Sequence, residues 1–214
     1  MKKCNFLLVF IFTAISLFGQ ELNFSALTLS KELKENANAV IRLNSTVVDV
    51  LDVDEMEISV TRIVTVLNKL GNNKVRSGVG YDNNSKISKL SAVVYNAFGK
   101  EIKKFKKNDF LDVSAVDGGT LYSDSRVKYL EYTPISYPYT IKLTYVKKTV
   151  STGFLPNWNP IEGYLVSLEN SNFTVNLKFG KARVKEKNFD GLQIKKENSE
   201  TKIYYSLSRL SWMI

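Results

Sequence analysis

The sequence predicts an all-β protein, an antiparallel β-sandwich-like module entered through one short N-terminal helix. Three observations carry that expectation. Apolar residues recur at every second position in segment after segment, the side-chain period of a half-buried strand. Short polar stretches containing Gly or Asn separate those segments, so neighbouring strands turn back on one another. Aromatic residues make up 12% of the chain, a composition that suits pleated sheets. With 214 residues and 44% hydrophobic content, the chain has enough apolar material for a core that needs neither disulfide nor metal.

In chain order, the first element is a targeting segment. Lys2 and Lys3 precede the apolar run FLLVFIFTAISLF (6–18), the layout of a signal peptide over residues 1–20. The run is too short, and wrongly flanked, for a membrane span. No second stretch approaches spanning length, so the expected location is secreted or periplasmic, with no transmembrane segment after signal removal. Cys4, the only cysteine, lies ahead of the apolar run and leaves with it. Residues 21–36 then form a helical lead-in. In LSKELKENANAVIRL (29–43), Ser30 stands where an N-cap belongs and Glu32 falls in the first turn, as the helix dipole prefers.

From there the period changes to two, and 37–214 reads as the β-sandwich module. EISVTRIVTVL (57–67) puts Ile58, Val60, Val64 and Val66 on one face; Arg62 interrupts that face and needs an edge or a carboxylate. VVDVLDVDEME (47–57) precedes it with a looser alternation. NKLGNN (68–73) reads as a turn in which Gly71 and Asn72 take positive φ. KISKLSAVVYNAFGKEIKKF (86–105) reads as strand, tight turn at NAFG (96–99), strand. YPYTIKLTYVKKT (137–149) is the clearest strand, and FTVNLKFG (173–180) and TKIYYSLSRL (201–210) repeat its grammar. If the module divides into two packed sub-sheets, the division falls near FLPNWNPIEG (154–163), which holds two of the four prolines.

Composition limits the chemistry. The chain contains no histidine, which excludes Ser-His-Asp and Cys-His nucleophilic chemistry, His-bound zinc and the ordinary imidazole base. The expectation is a protein that is not an enzyme, with no catalytic residues, no cofactor and no metal. Removing Lys2 and Lys3 from the 30 basic residues leaves 28 against 21 acidic, a balance of +7. Such a surface attracts acidic polymers, and for an exported chain nucleic acid is not the expected partner; protein or cell-envelope polymer is.

Several clusters suggest sites and have plainer explanations. In LYSDSRVKYLEY (121–132), Asp124 and Arg126 resemble an acid and an anion holder, but Asp and Ser belong in a connecting turn without chemistry. KEIKKFKK (100–107) contains Lys103, Lys104, Lys106 and Lys107. It offers a face to anionic polymer, or it is an edge strand whose lysines block edge-to-edge pairing. The acids Asp49, Asp52, Asp54, Glu55 and Glu57 lack the glycine and closing glutamate of a calcium loop, so they read as a charged hairpin connection. Asp109, Asp112 and Asp117 are similarly loose. Tyr129, Tyr132, Tyr137 and Trp158 form either a stacking platform for sugar rings or ordinary core and rim. Together with the four lysines they make the candidate ligand surface.

Six segments also resemble a known family in order: ANAVIRL, TRIVTVLNKLGN, YDNNSKISKLSAVVYNAFGKEIKKFKKNDFLDVSA, DGGTLYSDSRVKYLEY, YPYTIKLTYV and FLPNWNP. The set is similar to the domain of unknown function that precedes a transglutaminase-like core in exported bacterial proteins. It is collinear from about Ala37 to Trp212. The resemblance implies a β-sandwich-like module acting in interaction or positioning, with the chemistry in a following domain that uses a Cys-His-Asp triad. No catalytic residue carries over, because no matching position is one. The chain ends at RLSWMI, where the family pattern continues, so a stand-alone or truncated version is expected. The alternatives are a module for cell-envelope polysaccharide and, remotely, a carboxylate-based hydrolase.

Overall fold

The computed structural model describes residues 23–76, 78–115 and 124–211. The expected signal peptide, Asp117, residues 121–123 and Trp212 lie outside them. The eleven strands among the described residues are β1 (Ala39–Asp52), β2 (Glu55–Val66), β3 (Gly78–Tyr81), β4 (Ser85–Tyr95), β5 (Glu101–Lys106), β6 (Leu111–Ser114), β7 (Arg126–Tyr129), β8 (Tyr139–Thr149), β9 (Val166–Leu177), β10 (Lys195–Asn198) and β11 (Lys202–Leu210). One short α-helix, α1 (Lys31–Lys34), follows Ser30, whose side chain makes no capping bond. The all-β expectation holds.

Eight strands form one sheet in the order β10-β11-β9-β1-β2-β8-β4-β5, and β3-β7-β6 form a second. Two sequence expectations need correction. The large sheet is mixed, because β1 and β9 run parallel, Ala39 opposite Val166 and Val50 opposite Leu177. Residues 154–163 also do not divide two sub-sheets: β9, β10 and β11 join the same sheet as β1 and β2. The physical reason is shared. A parallel neighbour requires a crossover rather than a hairpin, and residues 150–165 are that crossover, bringing the chain from the end of β8 back to the end where β1 begins.

Alternation gives the large sheet one apolar face, split into two clusters. Ile41, Val64, Val94, Tyr139 and Leu168 belong to the first, with Val79 and Leu130 from the small sheet and its flank. Val48, Ile58, Val175, Ile203 and Tyr205 belong to the second. Between them runs a polar row, Ser171 opposite Asn44 and Asn44 opposite Arg62. That row lies beside a register shift in β1 between Ile41 and Leu43. Arg62 is on a central strand, so it pairs rather than reaching an edge. Its Nη2 donates to Glu162 Oε2 at 2.6 Å and to the Lys74 carbonyl at 3.1 Å, while Nη1 donates to Glu162 Oε1. Trp158 Nε1 donates to Ser171 Oγ at 2.9 Å. The polar row therefore holds the crossover against the sheet.

On the opposite face, Phe24 stacks on Tyr95 with centroids 4.1 Å apart, and Leu29 and Leu33 bury Val40. Arg42 fastens this N-terminal segment, donating to the Ser25 carbonyl and pairing with Glu169 at 3.1 Å. Asp52 and Glu55 face each other across the β1–β2 turn, so the acidic cluster is a hairpin connection. Gly99 takes a φ of 84° in the β4–β5 turn, as expected. NKLGNN is not a simple turn: Lys69–Val75 is a 3-10 helix capped by Asn68. Gly71 is there because a Cβ would lie 2.2 Å from the Asn38 carbonyl oxygen, a close approach rather than a positive φ.

A candidate binding cleft

The candidate ligand surface does not form one patch: Lys103 of β5 and Tyr132 meet at Phe105, while Trp158 lies elsewhere. β5 is the outermost strand of the large sheet, and Lys103, Lys104 and Lys106 stand exposed on it. Lys103 Nζ rests 4.8 Å from the Phe105 ring centroid, and Lys107 Nζ donates to the Ile87 carbonyl. Half-buried Tyr132 meets Phe105 and Tyr139 edge-on, at 6.2 and 5.5 Å. Tyr137 is tilted against Tyr139 at 5.7 Å. Tyr129 lies in β7 between Gly78 and Leu111. Tyr132 and Tyr137 belong to the packing around Tyr139, and Tyr129 sits in the small sheet. Trp158 belongs to a different group of rings altogether.

The Asp124–Arg126 kernel is also structural. Asp124 accepts the Asn83 amide at 2.9 Å. Arg126 and Lys128 donate to Asp112 at 3.0 and 2.9 Å, and Tyr81 Oη donates to it as well. The Lys128 hydrogen bond, then that of Tyr81, hold the exposed Asp112 carboxyl at about 2. Its folded value lies below the ordinary 3.8, so its contribution to stability is complete above that value and disappears as pH falls through about 2. A carbon-detected NMR titration should give a midpoint near 2 for Asp112, moving up in Lys128→Met. A midpoint at the ordinary aspartate value in the wild-type protein would refute this pairing.

The second apolar cluster opens into a cleft of about 580 Å³. Phe173, Val175 and Ile203 form its floor because alternation turns these residues of β9 and β11 to the core face. The crossover supplies one wall through Phe154, Leu155 and Trp158. An irregular strap, residues 178–194, supplies the other through Phe179, Val184 and Phe189. Trp158, Phe189 and Tyr205 meet pairwise, with centroids 5.8–6.2 Å apart. Glu186 ties the strap to the sheet: Tyr205 Oη donates to it at 2.7 Å and Lys196 Nζ at 2.5 Å. The Lys196 bond, then that of Tyr205, draw the Glu186 carboxyl below the usual glutamate range. Burial, then the Glu186 bond, push the Tyr205 hydroxyl up.

The mouth is apolar and cationic at once. Phe154 is 88% exposed, Phe179 51% and Val184 50%, and each lines the cleft. Lys181, Arg183 and Lys185 line it from the strap. The arrangement seats apolar groups and attracts negative charge; of its two lining acids, Glu186 is engaged by Lys196 and Tyr205, and Asp52 accepts the Val53 amide. Among the described residues, no group of three or more potential metal ligands converges, and no helix is long and apolar enough to cross a membrane. Sequence reasoning found Trp158 but missed Phe189, Tyr205 and the strap cations. The signal was the basic run KARVKEK (181–187) beside isolated aromatics.

Residues 53–210 match the model of a family described as a domain of unknown function with a solved structure, DUF3857. No curated protein matches the chain. Among solved structures, a Parabacteroides distasonis protein described as a candidate protease is similar, with 14% identity and a TM-score of 0.61. That match covers 83% of this chain and 36% of the Parabacteroides protein, so the chain spans about a third of its length. A leukotriene A4 hydrolase from Saccharomyces cerevisiae is similar at a TM-score of 0.37 and 10% identity, over 86% of this chain and 30% of that one. The first likeness concerns the fold alone, and the second carries no argument.

Proposed function

The chain belongs to the DUF3857 family, and we propose that it is a non-catalytic extracytoplasmic module that works by interaction or positioning beside a transglutaminase-like core. The supporting observation is the character of the cleft between crossover and strap. That cleft is walled by aromatic and aliphatic side chains; its strap carboxylate Glu186 is tied to Lys196 and Tyr205, and its other lining acid, Asp52 at the end of β1, accepts the Val53 amide. General acid–base chemistry needs a titratable group free to face substrate, whereas contact needs apolar area and charge, which this cleft presents. The histidine-free composition supports the same reading. The signal-like residues 1–20 support a secreted or periplasmic location.

Two measurements test this. Purified chain should release no amine or ammonia from casein or small amide substrates above a blank. It should also associate with a separately purified transglutaminase-like core in titration calorimetry. Turnover that survives purification overturns the non-catalytic reading; absence of association overturns positioning.

A further inference from the structure

We infer that the cleft between the crossover and the strap seats an acidic, amphipathic polypeptide segment. This rests on the interaction reading and names the class of partner that the cleft takes. Three features select it. Across 178–187 the strap holds five basic residues and one acid, and Glu186, that acid, is neutralised by Lys196. The rim's three exposed cations, Lys181, Arg183 and Lys185, outnumber its remaining acid, Asp52, and positive potential at a concave surface recruits negative charge.

Beneath the rim, Phe154, Phe179 and Val184 leave apolar surface in water, at the entrance to a concavity of about 580 Å³. Exposed apolar surface rimmed by charge marks an interaction site. That volume suits one or two apolar side chains entering from an extended segment.

The same residues disfavour other occupants. A sugar ring needs hydrogen-bond partners for its hydroxyls, but the Trp158 N–H is bound to Ser171 and the Glu186 carboxylate to Lys196 and Tyr205. Trp158, Phe189 and Tyr205 turn their rings toward one another. A bilayer surface is matched by a convex or flat basic patch, not by a concave one. Side chains alternating between apolar and acidic satisfy wall and rim together.

The test uses Trp158 as its own reporter. The sequence holds two tryptophans, so Trp212→Phe leaves Trp158 as the sole indole. The probe is a short synthetic peptide alternating Phe or Leu with Glu or Asp; its counterpart carries Gln and Asn in place of the acids. The acidic peptide should change Trp158 emission saturably and bind at least ~10-fold tighter than the neutral one, with affinity falling as salt rises. The variant Lys181→Glu/Arg183→Glu/Lys185→Glu alters only exposed side chains, so its melting should match wild type while the peptide response is lost. No saturable response overturns the inference. So does equal binding of the neutral peptide, full binding by the charge-reversed variant, or response only to oligogalacturonate or anionic vesicles. Each of these leaves association with a transglutaminase-like core intact if that contact uses another face, so the two readings fail separately.

Discussion

Glu162→Ala lowers the unfolding free energy by about 3–5 kcal/mol, the range for stripping one partner from a largely desolvated ion pair. The Arg62 side chain is 12% exposed and that of Glu162 24%, so the guanidinium left behind is poorly hydrated where it stands. Its Nε already lies buried without a hydrogen-bond partner. The loss also loosens the crossover, which at residue 162 keeps only the bond from Lys74 Nζ to the backbone carbonyl. Arg62→Met with Glu162→Ala should recover much of the stability, since removing both charges removes the desolvation cost. Urea denaturation of the three chains measures this. If the single and double variants unfold at the same midpoint, or Glu162→Ala costs under about 1 kcal/mol, the pair behaves like a surface contact.

Tyr139→Ala costs about 3–5 kcal/mol, as truncation of a large buried ring does elsewhere. Tyr139 is 1% exposed, lies in the first cluster and touches the rings of Tyr132 and Tyr137. Burial, then the neighbouring Tyr137 and Tyr132, push its hydroxyl far above the ordinary range, so it stays protonated and donates to Asn72 Oδ1 at 3.1 Å. Tyr139→Phe keeps the ring and loses that bond, a cost of about 1 kcal/mol. At this chain length, ~1 kcal/mol moves the melting temperature by roughly 2–4 °C. Calorimetry should therefore separate the variants clearly, Ala well below Phe. Equal melting temperatures would mean that the ring does not fill the core.

Alternation made the central strands legible. Ile58, Val60, Val64 and Val66, and Tyr139, Ile141 and Leu143, face the core where period two placed them, although Ile63, Thr65 and Thr140 on the other face are buried too. What was hidden has identifiable causes. β1 was not seen to begin at Ala39 because the shift after Ile41 breaks its period. β3, β6, β7 and β10 span four residues each, too few to display a period. The parallel pairing of β1 and β9 depends on where the crossover travels, which side-chain alternation does not encode. Arg62 announced that it needed a partner, but Glu162 lies 100 residues away in a stretch that read as a boundary. The cleft was the least legible, since its floor comes from distant strands and its strap has no regular period. Trp158 alone drew notice, as a conspicuous residue rather than as part of a pocket.

The pairing of β1 with β9 also orders events during synthesis. Ser45 meets Asn172, 127 positions later, so the first long strand emerges with one flank empty until most of the chain exists. An unsatisfied strand flank is a template for wrong partners, and distant closure is slow. Ser45 and Asp49, which later bond Asn172 and Asn176, keep that waiting strand partly polar. An early piece of the fold is thus completed late, and nascent chains stalled before residue 166 should be its most aggregation-prone form.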